Sequence, residues 1–158
     1  MNYSFILSIC LFILGVLSGH FFSLRYTKRT TFYKALSEFN TDFFSSVNFN
    51  QEDLTTLLKQ DYNQEDFQKT LNSIIERFKN NQSIYLPNYL TIREKNELLH
   101  YFLQIGSVDA RTQIELLKRY ECIFDKKSND CLALEKQEGA LCKKMGVIIG
   151  IIIFIIVV

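Results

Sequence analysis

Apolar and polar side chains are unevenly distributed along this chain. From Phe5 to Phe22 the run is apolar, interrupted only by Ser8, Ser18 and His20. At about 1.5 Å per helical residue it spans about 27 Å, close to the hydrocarbon thickness of a bilayer. A second apolar run, Met145–Val158, has no polar side chain. It has no hydrophilic face on which to lie along a membrane surface. A short crossing is expected instead, with Lys143 and Lys144 snorkelling and the bilayer thinning locally.

Between the two runs the pattern takes a helical period. Phe32, Leu36, Phe39, Phe43 and Val47 recur at steps of three and four. Asn48-Phe49-Asn50 breaks that stripe. Asn50 is expected to cap a short helix carrying Leu54, Leu57 and Leu58. Asn63 is expected to cap the next, which buries Phe67, Leu71, Ile74, Ile75 and Phe78. Thr91-Ile92-Arg93-Glu94 reads as a capping box opening a helix with Leu98, Leu99, Phe102 and Leu103. Gly106 ends that helix through its access to the left-handed conformation. Ser107 or Asp109 caps the last helix, which carries Ile114, Leu117, Tyr120, Phe124 and Leu134 towards Lys144. Lys126–Asp130 is its candidate kink. The expected fold is all-α: an N-terminal transmembrane anchor (1–24), a cytoplasmic helical bundle (25–144) and a C-terminal transmembrane helix (145–158).

Charge gives these segments a direction. All 18 Lys and Arg and all 17 Asp and Glu lie between Arg25 and Lys144. Basic residues flank the apolar runs on the inner side of each: Arg25, Lys28 and Arg29 after the first, Lys143 and Lys144 before the second. Positively charged flanks stay in the cytoplasm, so both place the middle there and both termini outside. A cleaved signal peptide would carry its basic residues before the apolar run; here Asn2, Tyr3 and Ser4 stand there. The net charge of +1 gives no reason to expect nucleic acid as a partner.

Each apolar run contains G-x-x-x-G, at Gly15 and Gly19 and at Gly146 and Gly150. Glycines four apart leave a shallow groove on a helix face, so the spans are expected to pack on each other or on partner spans.

Catalytic chemistry has little to stand on. The two histidines, His20 and His100, are expected at an interface and on a helix surface. There is no phosphate-binding G-x-x-x-x-G-K-[ST], no G-x-S-x-G and no H-E-x-x-H. Cys10, Cys122, Cys131 and Cys142 lack metal-site spacing and are expected to be reduced thiols. No cofactor and no metal are expected. Asp109 and Arg111 form a polar cluster after Gly106 that reads as a helix cap with a surface ion, or as a docking corner for a partner.

At Gly106-Ser107-Val108-Asp109, followed by Gln113, the chain resembles the G-[ST]-x-D-x-x-x-Q corner of the stage III sporulation protein AB family of endospore-forming Firmicutes. The tail from Lys143 to Gly150 is similar to that family's basic, Gly-containing, Ile-rich C-terminus. In the first half, Leu36-Ser37-Glu38-Phe39-Asn40-Thr41-Asp42-Phe43 keeps acids four apart but puts Phe where the family has aliphatic residues. The resemblance implies a helical domain like the F domain of type II secretion inner-membrane proteins. It also implies a non-enzymatic membrane platform in the channel-like complex between mother cell and forespore. That platform couples a cytoplasmic secretion-type ATPase to other membrane proteins of the complex, with homo-oligomers possible and Gly106, Ser107, Asp109 and Gln113 as the docking corner. The expected location is the mother-cell side of the outer forespore membrane. The competing expectation is a small two-span sensor or regulator with a ligand- or protein-binding helical domain.

Overall fold

The computed structural model describes residues 3–50, 54–80, 82–105 and 107–157. Among these residues every regular element is helical. Helix α1 runs Tyr3–Ser45 and closes in a π-turn at Ser46–Asn50; α2 is Leu54–Leu58, α3 Glu65–Asn80 and α4 Ile92–Gln104. Helix α5 (Ala110–Leu134) leads through a π-turn at Glu135–Gly139 into α6, Ala140–Val157. Two helical runs, Ile6–Phe49 and Ala110–Val157, are long and apolar enough to cross a membrane. The first apolar run and the first periodic stripe therefore share one helix, because no Gly or Pro interrupts residues 20–45.

The chain forms two compact units. One comprises Met1–Thr30 with Asp130–Val158, the other Thr31–Asn129.

The Thr31–Asn129 unit is organised around rings. Phe32 and Phe39 of α1 meet Phe67 of α3 edge-on, with centroids 5.4 and 6.0 Å away, and Tyr62 closes the cluster at 5.7 Å from Phe67. A second cluster joins Tyr101 of α4 to Tyr120 and Phe124 of α5 at 4.7 and 4.8 Å. Phe67 is fully buried; burial of such a side chain is worth about 1.5–3 kcal/mol, and offset or edge contacts add to it.

Local chemistry sets the helix ends. Thr91 Oγ1 accepts from Glu94 N, while Glu94 Oε2 accepts from Thr91 N at 2.9 Å, so the capping box forms. Glu94 also accepts from the Tyr33 hydroxyl at 2.8 Å, which ties the start of α4 to α1. Acidic Glu65 and Asp66 open α3 and basic Arg77 and Lys79 close it, in the sense that favours the helix dipole.

Several expected details differ. Asn63 does not cap α3. It takes the left-handed conformation (φ 53°), which asparagine tolerates, and donates its backbone N–H to Asp61 Oδ1. Gln64 accepts from Phe67 N instead. Phe78 is 61% exposed, because the stripe of α3 drifts off the core face in its last turn. Leu103 is likewise exposed. Lys126–Asp130 is regular helix within α5, and the irregularity falls at Glu135–Gly139. Asn50 ends the π-turn after α1; its side chain, like residues 51–53, lies outside the described residues.

Candidate functional site

In the Met1–Thr30 and Asp130–Val158 unit, the first part of α1 and α6 run antiparallel, and the glycine motifs meet. A methyl group added at Gly15 would lie 2.9 Å from Gly150 Cα. One added at Gly19 would lie 2.8 Å from Gly146 Cα and 2.7 Å from the Cys142 carbonyl oxygen. Real Cβ atoms do not approach backbone so closely, so glycine is what allows the two backbones to touch. Gly146 answers Gly19 from the other side at 2.8 Å, and Gly150 faces Phe12.

The seam continues beyond the apolar runs. Gly139, inside the π-turn, faces the buried Ser23, and Thr27 Oγ1 donates to Glu135 Oε1 at 2.8 Å. Contact positions on α1 thus advance by three and four (12, 15, 19, 23, 27), as in a helix-pair seam. Within the span, the small residues Ser8, Gly15 and Gly19 occupy the buried face, and Ser18 returns its hydroxyl to Gly15 O at 2.8 Å. The register puts Lys143 and Lys144 within about a turn of Gly19 and His20, so the basic flanks gather at one end of the hairpin. Arg25, Lys28, Lys143 and Lys144 are exposed there and Arg29 is half-buried. His20 is exposed on α1 and His100 on α4.

The α4–α5 corner uses its polar side chains locally. Ser107 Oγ donates to Gln104 O at 2.9 Å, and Asp109 is the α5 cap, accepting from Thr112 N and from Thr112 Oγ1 at 2.7 Å. These bonds hold the Asp109 carboxyl below the usual carboxylate range. Gln113 turns inward and is buried, and Arg111 pairs loosely with Glu115 along the surface. Gly106 lies outside the described residues. No disulfide links the four cysteines. Among the described residues no three His, Cys, Asp or Glu side chains converge to hold a metal ion.

Two polar features of the helical unit escape the periodicity argument. Asn40 is fully buried: its Nδ2 donates to Leu117 O at 3.1 Å and its Oδ1 accepts from the Tyr101 hydroxyl at 2.9 Å. It sits at a core position, four residues after Leu36, and that placement of a polar residue was the available signal. Glu38 and Asp42 lie one turn apart on the other face of α1 and border an open groove. Their spacing of four was visible, but the groove needs Asp61 and Tyr62 from a distant part of the chain. No family model, curated protein or solved structure matches this chain.

Proposed function

We propose that this chain is a two-span membrane protein whose helical unit lies in the cytoplasm and serves as a non-enzymatic docking platform. One observation carries the membrane reading. Only 22% and 11% of the most apolar stretches of the two long helices are buried, although glycine pairs them. Leu14, Leu17, Phe21 and Phe22 on one helix, and Ile155 and Ile156 on the other, point outward and exposed. Water does not favour so large an apolar surface, whereas lipid solvates it. The basic collar at one end of the hairpin supports the cytoplasmic side for the helical unit and the outer side for both termini.

The finer reading rests on the resemblance of Gly106–Gln113 and the Lys143–Gly150 tail. It makes the chain a component of the sporulation complex between mother cell and forespore, on the mother-cell side of the outer forespore membrane, coupling a cytoplasmic secretion-type ATPase to membrane partners.

Topology labelling tests the core of this proposal. Single cysteines replace Asn2 or Asn80 in a chain whose native cysteines are changed to serine. A membrane-impermeant maleimide applied to intact vegetative cells that express the chain in their plasma membrane should label position 2 and spare position 80. Labelling at position 80 would overturn the cytoplasmic placement. The coupling role requires co-purification of the ATPase with the full chain and its loss when residues 25–144 are deleted.

A further inference from the structure

The net charge of +1 conceals an uneven division. The hairpin unit, Met1–Thr30 with Asp130–Val158, holds six basic side chains: Arg25, Lys28, Arg29, Lys136, Lys143 and Lys144. It holds three acidic ones, Asp130, Glu135 and Glu138. The other unit holds twelve basic and fourteen acidic side chains. The excess of positive charge therefore belongs to the hairpin, and it lies at one end.

The acids of the hairpin unit do little to cancel that charge at Lys143 and Lys144. Glu135 accepts from Thr27 Oγ1 in the seam. Asp130 precedes Lys143 along the helix by about 20 Å, more than twice the screening length in physiological salt. Glu138 is level with Arg25, because Ser23 stands opposite Gly139, and it offsets that guanidinium in part. Lys143 and Lys144 are exposed and make no ion pair among the described residues. On the other unit, by contrast, exposed basic side chains pair with acids one turn away, as in Lys69 with Glu65 and Arg93 with Glu97.

Depth gives the second, independent observation. A methyl group at Gly19 would meet both the Cys142 carbonyl and Gly146 Cα, so Lys143 and Lys144 stand level with Gly19 and His20. Helix α1 is still apolar there: Phe21 and Phe22 follow, 73% and 63% exposed. On α6 the exposed Met145, Ile148 and Ile149 begin at once. The two ammonium groups thus emerge beside exposed apolar surface rather than beyond it. A dissolved anion would use the charges and leave the rings uncovered. A phospholipid meets both, with its phosphate on the lysines and its chains along the rings and isoleucines. Arg25 lies about 9 Å beyond Gly19, so the basic side chains cover a depth comparable with one headgroup layer.

We propose that the Lys143–Lys144 end of the hairpin binds an anionic phospholipid of the cytoplasmic leaflet, with Arg25 as its outer contact. This rests on the two-span reading for the presence of a bilayer and adds a choice of lipid. Sidedness alone requires only that positive charge stay on the cytoplasmic side. A lipid site also requires charges left unpaired and apolar surface level with them, and this end of the hairpin has both.

The chain has no tryptophan, so Phe22→Trp supplies a single fluorescent reporter within a turn of the level of the lysines. The full chain carrying it is reconstituted in phosphatidylcholine vesicles with a fixed share of brominated phosphatidylglycerol or, in parallel, brominated phosphatidylcholine. Bromine quenches the indole on contact. Both leaflets have the same composition, so the result does not depend on sidedness and stays separate from topology labelling. Brominated phosphatidylglycerol should quench more strongly than an equal share of brominated phosphatidylcholine. Lys143→Gln and Lys144→Gln should each lower that preference about fivefold, the value of one basic side chain near an anionic surface, and Arg25→Gln should lower it less. Arg111→Gln removes a cation from the other unit and should leave it unchanged. Unchanged quenching by brominated phosphatidylcholine shows that the variants remain inserted. Inorganic phosphate at matched ionic strength should not displace the lipid. Equal quenching by the two lipids, an equal loss in Arg111→Gln, or displacement by phosphate would overturn the proposal and leave the spans in place. Quenching by neither lipid would remove the hairpin from the bilayer and overturn the two-span reading with it.

Discussion

The two units solve the packing problem in opposite ways. The hairpin closes on absence: Gly15, Gly19, Gly146 and Gly150 bring backbone against backbone, and large side chains such as Leu17 and Phe21 turn away. The Thr31–Asn129 unit closes on bulk, with Phe32, Phe39, Tyr62 and Phe67 interlocked at its centre. The membrane setting proposed for the hairpin accounts for the difference. In water, burying a large ring is itself the driving force, so the core collects phenylalanine. In lipid a buried leucine gains nothing over an exposed one, and stability comes from close approach, small residues and a few polar contacts. The seam changes character where the apolar runs end, passing from glycine pairs to Ser23 against Gly139 and the Thr27–Glu135 hydrogen bond.

The sharpest way to break this contrast is a large side chain in the glycine seam. In Gly19→Leu the first added carbon already meets backbone within 2.8 Å, and no side-chain rotamer can relieve that. Cysteines replacing Thr27 and Glu135, in a chain without its native cysteines, should cross-link through a short bifunctional reagent. Gly19→Leu should abolish the link, while Leu17→Ala, at a 57% exposed position, should preserve it. Cross-linking of Gly19→Leu at the parent level would show that glycine does not set the approach.

The converse substitution belongs to the helical unit. Phe67→Ala removes the ring that three others contact and should cost about 3–5 kcal/mol in denaturant unfolding. The 27–135 cross-link should persist, since the ring lies in the other unit. An intermediate effect is expected at Asn40. Asn40→Ala strands the Tyr101 hydroxyl in a buried site and should cost about 1–3 kcal/mol. Tyr101→Phe added to Asn40→Ala should cost less than the sum of the two single changes, as for groups in one network.

Features that depend on near neighbours were legible in the sequence. The Thr91–Glu94 capping box needs only four residues, and the Phe32, Leu36, Phe39, Phe43 stripe only a helical period. Features set by distant partners were not. Asn63 is the residue type that favours a cap, yet its N–H goes to Asp61 and its backbone turns left-handed, and Gln64 accepts from Phe67 N in its place. Phe78 follows the apolar period of α3, yet in the last turn of that helix its ring is 61% exposed. The groove is still less visible, because its acids come from α1 and from a connection about twenty residues further on. Tyr62 reads as one more core ring, and only the fold sets its hydroxyl beside the Asp42 carboxylate, which joins burial in pushing the phenol pKa up. The α4–α5 corner shows the opposite case. A conspicuous cluster of polar residues spends its bonds on capping, with Asp109 and Ser107 satisfied within four residues of themselves.

The smallest expected effect concerns surface charge on the helical unit, which has no counterpart within the apolar runs. Glu97 pairs with Lys127 and, at 3.2 Å, with Arg93. The hydrogen bond from Lys127 is the main cause that holds the Glu97 carboxyl below its ordinary value, against a smaller upward push from burial. A depressed folded-state pKa means that the unfolded chain binds the proton more readily. The pair's contribution is therefore complete above the ordinary glutamate pKa of about 4.3, and fades as pH falls from there through the lowered value. The Glu97 side chain is 40% exposed, so screening limits the contribution to about 0.2–1 kcal/mol. Glu97→Gln should lower the unfolding free energy by that amount at pH 7. The gap between variant and parent should close towards pH 3 and shrink in high salt. A gap that stays constant from pH 7 to pH 3 would mean that Glu97 acts through packing of its stem rather than through its charge.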